Sequence, residues 1–152
     1  MGLDEELMGL PLQPSDIVGK HCQPSVLMQE VQADDSIIIT GVRGSAFVPD
    51  DDGLSVAWVE HPHHLADGVT PTQALISCMK SQRTVKKSHR LALIKVQNIQ
   101  DCGTKFGKSI NVIHDPLPGY DCHSLIVGID PNTADLLELI AAECMAMEAM
   151  LG

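Results

Sequence analysis

Val42-Arg43-Gly44-Ser45-Ala46-Phe47-Val48-Pro49, then Asp50-Asp51-Asp52-Gly53, then Leu54-Ser55-Val56-Ala57-Trp58-Val59 read as strand, turn and returning strand. Alternation puts Val42, Gly44, Ala46 and Val48 on one face of the first arm, with Arg43, Ser45 and Phe47 on the other. Pro49 cannot donate to a ladder and ends that arm. Three aspartates and Gly53 suit the turn, because short acidic side chains bond their own backbone. In the return arm Leu54, Val56 and Trp58 share one face, and Ser55, Ala57 and Val59 the other. This hairpin carries Phe47 and Trp58, half of the chain's aromatics, and it anchors the reading of the fold.

Downstream, Thr70-Pro71-Thr72-Gln73 has the form of a capping box: Thr70 caps, Pro71 fits the first helical position and Gln73 reaches back. Ala74, Leu75, Cys78 and Met79 give the helix that follows a buried stripe. Ile37-Ile38-Ile39-Thr40, Leu91 to Val96, Ser109 to Ile113 and His123 to Ile129 read as strands, the last of these as the final strand. Asp115-Pro116-Leu117-Pro118-Gly119 reads as a turn, and 101–107 as a glycine-rich loop. Pro14 to Gly19 looks like one helical turn closed by glycine, and residues 24–33 fit either a strand or a short helix. From Pro131 to about Met150 the pattern predicts a C-terminal helix, apolar most of the way round. Together these elements predict a single α+β domain over 14–152, with a mostly antiparallel sheet and two main helices. Residues 1–13 are expected to be a flexible N-terminal segment.

At 152 residues the chain suits one domain, and its 44% hydrophobic content is ordinary for a globular one. Aromatics make up only 3%, so the core must come from aliphatic residues and Met. A net charge of −10 disfavours a general nucleic-acid binder, which needs a positive face. No apolar run reaches membrane-spanning length, and the first residues lack a basic start and an apolar stretch. A cytoplasmic setting is the expectation. Cys22, Cys78, Cys102, Cys122 and Cys144 are widely spaced with no Cys-x-x-Cys, which points to reduced, buried thiols.

Three constellations carry chemistry. His61-Pro62-His63-His64 has metal-like density, but no His-Glu-x-x-His or cysteine pair accompanies it, so no metal and no cofactor is expected. His114-Asp115 and Cys122-His123 flank the proline turn. A thiolate there would need His114 as its base, since adjacent strand residues face opposite ways. Gly103 to Ser109 has only part of a phosphate-loop pattern, with Cys102 where a glycine should stand. Between Asp67 and Asp101 there is no acid, while Lys80, Arg83, Lys86, Lys87, Arg90 and Lys95 supply six of ten basic residues. The stretch is either a solvated helix end or an anion-binding patch; no aromatics interleave with it for base stacking.

Ser45-Ala46-Phe47-x-Pro49, Leu54-Ser55-Val56, Thr70-Pro71, Asp115-Pro116-Leu117-Pro118 and His123 with Ile126 form a distinctive set, preceded by Leu12-x-Pro14-x-x-Ile17. Over roughly residues 12–128 the chain resembles a group of small bacterial proteins usually called hypothetical, with no established activity. It departs from them in the long stretch 19–40 and in the C-terminal helix. The resemblance implies a bacterial cytoplasmic protein whose partner is encoded nearby, and names no catalytic residue. The expected role is a non-enzymatic adaptor that binds another protein or itself through Leu136, Leu139, Ile140, Met145, Met147 and Met150. A small metal- or His/Cys-dependent enzyme using Arg43, Ser45, His114, Asp115 and His123 is the first alternative. A nucleic-acid accessory using the stretch 80–95, with Lys80, Arg83, Lys86, Lys87 and Arg90 as its anion-binding residues, is the second.

Overall fold

The computed structural model describes residues 9–64 and 68–151. These form an α+β fold built on a six-stranded, wholly antiparallel sheet. Its strands are β1 (Ile17–Cys22), β4 (Leu54–Trp58), β5 (Arg90–Lys95), β6 (Asn111–His114), β7 (His123–Val127) and β8 (Ala146–Ala149), in the order β6-β7-β4-β1-β5-β8. A separate ribbon pairs β2 (Leu27–Val31) with β3 (Ile37–Val42). The helices are α1 (Pro71–Gln82), α2 (Val96–Lys105) and α3 (Ala134–Ala142).

Side-chain alternation sorts the sheet into two buried faces. Val18, Val56, Ala92, Ile94, Val112 and Ile126 pack with α2, α3 and the 3-10 turn Gly44–Phe47. Ala57, Val59, Leu91 and Leu93 pack beneath Leu75 and Met79 of α1. The capping box on α1 is made in both directions: Thr70 Oγ1 accepts from the Gln73 N–H at 3.2 Å, and Gln73 Oε1 accepts from the Thr70 N–H at 3.0 Å. Local chemistry dictates that helix start, and tertiary burial of Leu75 and Met79 holds it.

Several expectations are corrected. The first arm of the proposed hairpin is no continuous strand: β3 ends at Val42, and Gly44–Phe47 forms a 3-10 turn. Glu138 of α3 causes this. Its carboxylate accepts from the Gly44 N–H at 3.0 Å, and a Cβ on Gly44 would collide with it. The turn delivers Phe47 fully into the core. Pro14 to Gly19 is no helical turn, because Val18 and Cys22 are buried at strand spacing and β1 becomes a central strand. Residues 101–107 lie mostly in α2, whose Val96, Ile99, Cys102 and Gly103 form a buried helical stripe. Residues 24–33 contain both alternatives, a 3-10 turn at Pro24–Val26 and then β2.

The C-terminal helix ends at Ala142 rather than near Met150. The open edge of β5 competes for the chain. The Met145 N–H donates to the Leu93 carbonyl at 2.7 Å, and Ala146–Ala149 then pairs with Arg90–Leu93 as β8. His123–Val127 is therefore not the final strand. Of the expected flexible segment 1–13, residues 1–8 lie outside the described residues. The rest is docked on β6, with Gly9 N–H on the His114 carbonyl and Leu12 N–H on the Val112 carbonyl. No helix among the described residues is long and apolar enough to cross a membrane.

Phe47→Ala is expected to lower unfolding free energy by about 3–5 kcal/mol in urea titrations. A loss under about 1 kcal/mol would mean that the 3-10 turn is not a core element.

Candidate functional site

The sheet does not close completely. β1 pairs with β5 at every residue from Ile17 to Cys22, but with β4 only at Val18↔Trp58 and Gly19↔Ala57. Continuing that register would set Lys20 opposite Val56 and His21 opposite Ser55; these rungs are not formed. The fork holds a cleft of about 350 Å³ lined by Lys20, His21, Ser45, Asp50, Ser55 and Arg83, among others. A narrower crevice shares His21, Ser55 and Arg83 with it and adds Tyr120 and His123. Strand parity directs the Ser55 backbone into the fork. The amides of Trp58 and Val59 alternate, the first donating to Cys122, just before β7, and the second to Ile17 on β1. Ser55 has the parity of Val59.

A hydrogen-bond chain begins at Ser55. Register puts Ala57 opposite His123, so Ser55 and His123 are same-face neighbours on paired strands. His123 Nε2 lies 3.1 Å from Ser55 Oγ. On the other side, His123 Nδ1 lies 2.8 Å from the Asp115 carbonyl and 3.2 Å from Asp115 Oδ2. Both partners of Nδ1 are acceptors, so Nδ1 carries the hydrogen in the neutral ring. Nε2 is then the acceptor and the Ser55 hydroxyl donates to it. His123 is buried, whereas Ser55 keeps partial exposure to the cleft.

A second chain sets the cationic wall. Arg83 can only donate, and its Nη1 lies 3.4 Å from His21 Nδ1. His21 Nε2 therefore donates to His89 Nδ1, 2.7 Å away. Burial, then the charges of Arg83, His89 and Lys20, push His21 down to about 4. The Arg83 guanidinium also lies 6.0 Å from the Tyr120 ring centroid. Burial likewise lowers the Lys20 ammonium; Cys22 opposes that shift, Arg83 adds to it and Asp50 opposes it.

The residues expected from sequence divide. Asp115 and His123 come together, and Ser45 lines the cleft. Arg43 is exposed at the start of the 3-10 turn, and His114 is buried with its ring against Trp58 and His61. Cys122 is no thiolate: burial raises its pKa, and it packs under α1 beside Cys78. Ser55, which meets His123 here, carries no signal in the sequence, since a serine alternating with apolar residues is ordinary in a strand. Of the expected anion-binding set only Arg83 reaches the cleft. Lys80, Lys86 and Lys87 are exposed outside it, and Arg90 Nη1 donates to the Lys87 and His89 carbonyls.

The adaptor surface is largely internal. Leu136, Ile140 and Met150 are buried, Leu139 and Met147 are half-buried, and Met145 is exposed. The fold uses this apolar segment for its own core, on α3 and at the end of β8. The histidine run gathers His61 against His63 and His114, with ring centroids 4.6 and 5.3 Å apart. Even so, no group of three or more His, Cys, Asp or Glu among the described residues is arranged to hold a metal ion.

No family model, curated protein or solved structure matches this chain.

His21 gives the site a pH signature. Its folded pKa, about 4, lies below the unfolded value near 6.5. The unfolded chain binds the proton first as pH falls, so the stability His21 contributes above pH 6.5 is lost progressively down to about 4. His21→Gln is expected to flatten that part of the stability profile in urea titrations from pH 7.5 to 4. An unchanged slope would show that His21 titrates normally.

Proposed function

We propose that this protein is a hydrolase that uses Ser55 as nucleophile, His123 as general base and acid, and Asp115 as the group that orients His123. One observation carries the reading: a hydrogen-bond chain from the Asp115 main-chain carbonyl through His123 to Ser55, with the Asp115 carboxylate 3.2 Å from the same ring nitrogen and the serine at the wall of an open cleft. This changes the expected role from adaptor to enzyme. It keeps Asp115 and His123 from the enzyme alternative and replaces Arg43, Ser45 and His114 with Ser55.

The chemistry fits an ester. Ser55 Oγ attacks the carbonyl carbon as its proton passes to His123 Nε2. The Ser55 N–H, directed into the fork, supplies a donor to the oxyanion. The carbon–oxygen bond to the alcohol breaks as His123 returns the proton to the departing oxygen. Water then attacks the acyl-Ser55 carbonyl and gives its proton to His123, and Ser55 leaves reprotonated. The Asp115 main-chain carbonyl holds the ring in the tautomer that both steps need, and the nearby Asp115 carboxylate stabilises the imidazolium between them.

A second reading keeps protein binding and moves its surface to the β2–β3 ribbon. There Val31, Ile37 and Ile38 stay 67%, 59% and 45% exposed, which is unusual for large aliphatic side chains so close together. Under this reading an Ile37→Glu and Val31→Glu double variant loses an associated protein or self-association in sizing and pull-down, and an unchanged profile removes it.

For the hydrolase, a fluorophosphonate probe is expected to label Ser55, and nitrophenyl acetate to be cleaved. Ser55→Ala and His123→Ala should each lower kcat by about 10³-fold or more, with Asp115→Asn lowering it less or equally. Labelling elsewhere, or wild-type rates in Ser55→Ala, would overturn the assignment.

A further inference from the structure

We propose that the ester taken by this site carries an oxyanion group, a carboxylate or phosphate, which sits between Lys20 and Arg83 at the fork of the sheet. The inference rests on the hydrolase reading for its reaction, but its own evidence is separate.

The chain holds 20 acidic residues against 10 basic ones, yet among the described residues Lys108 is the only lysine or arginine with a carboxylate at salt-bridge distance, so what marks Lys20 and Arg83 is their convergence on one cleft rather than a missing partner. Lys108, for comparison, lies 3.7 Å from Asp130. Lys20 and Arg83 both line the cleft, and neither has a carboxylate within salt-bridge distance among the described residues. Lys20 is half-buried and comes from β1, while Arg83 comes from the end of α1. Two elements thus bring like charges to one opening, at an energetic cost that a bound anion would reverse. Asp50, from the turn before β4, is the only carboxylate among the described residues that line that opening.

Among the described residues Arg83 is also held in place by neutral groups only. The His89–His21 chain presents a lone pair to its guanidinium, and Tyr120 offers a ring face. Such partners fix a guanidinium without neutralising it, which leaves its charge and remaining N–H donors for a ligand. Ser55 lines the same cleft, so an ester whose anionic end rests on Lys20 and Arg83 has its carbonyl within the reach of the nucleophile.

The test compares nitrophenyl acetate with two anionic relatives, the succinate half-ester and the phosphonoacetate ester, on purified full-length protein. The anionic esters are expected to have the higher kcat/KM, and the two arms separate carboxylate from phosphate preference. Lys20→Gln and Arg83→Gln should each cut the ratio of anionic to neutral kcat/KM by about 10- to 100-fold, the range for one charge-assisted hydrogen bond. Arg83→Lys should recover part of it.

A binding arm is independent of turnover. Inorganic phosphate and succinate are titrated by calorimetry into Ser55→Ala, and again into Ser55→Ala carrying Arg83→Gln. Binding to the first and loss in the second supports the anion subsite even if the hydrolase reading fails. Loss of hydrolysis in Ser55→Ala, with a ratio unmoved by both cleft variants and no anion binding, keeps the hydrolase and overturns the subsite. Unchanged unliganded melting temperatures separate these results from misfolding.

Discussion

Two rungs, Val18–Trp58 and Gly19–Ala57, join the two halves of the sheet, β6-β7-β4 on one side and β1-β5-β8 on the other. A junction that short cannot hold by hydrogen bonds alone, since each contributes only about 1 kcal/mol net. Packing reinforces it from both faces. Gly19 has no side chain, so Leu91 lies across the space a Cβ would fill, directly beneath the α1 cluster. On the opposite face Val18 and Ile94 pack with α2 and α3. Beyond the rungs, Glu60 accepts the Ile17 N–H at 2.8 Å and the Val59 N–H donates to the Ile17 carbonyl, so that end is closed. The sheet is therefore free to open only toward Lys20, His21, Val56 and Ser55.

The opening and the hydrogen-bond chain are consequences of the same registers. Pairing β4 with β7 from Leu54↔Ile126 to Ala57↔His123 puts Ser55 and His123 on one face. The turn between β6 and β7 then returns Asp115 to His123, helped by the bridge between Leu117 and Tyr120 and by Gly119 at φ 73°. Tyr120 ends up buried on the α1 side, where it flanks both His123 and Arg83. One loop thus serves the acid of the chain and the aromatic wall.

Much of the fold was legible because it is local. Thr70 to Gln73 specify a helix start by their own hydrogen bonds, and Leu54 to Trp58 and His123 to Val127 are strands by alternation. Where reading failed, a distant segment decided. Glu138 reaches Gly44 across 94 residues and turns a would-be strand into a 3-10 turn. The β5 edge captures Met145 to Ala149, although that run is as apolar as the helix before it. The site shows the same divide. Asp115 and His123 stood out by residue type around a turn, whereas the Ser55 partnership spans 68 residues and leaves no periodic trace. Arg83 read as one of several basic residues, and only the fork distinguishes it from Lys80 or Lys86.

The choice of Ser55 as the proposed nucleophile follows from what burial does to the alternatives. All five cysteines have thiols raised above their usual pKa, with burial the first cause in each. Cys22 and Cys102 rise to about 11 and Cys144 to about 12, which leaves almost no thiolate near neutral pH. A serine needs no such ionised ground state, because its proton can leave as the bond forms, provided a neutral imidazole is already aimed at it. Ser55 is such a serine, with His123 held in the accepting tautomer by two acceptors on Asp115. The same burial that silences the thiols keeps His123 out of solvent, and the unfinished β1–β4 pairing leaves Ser55 within reach.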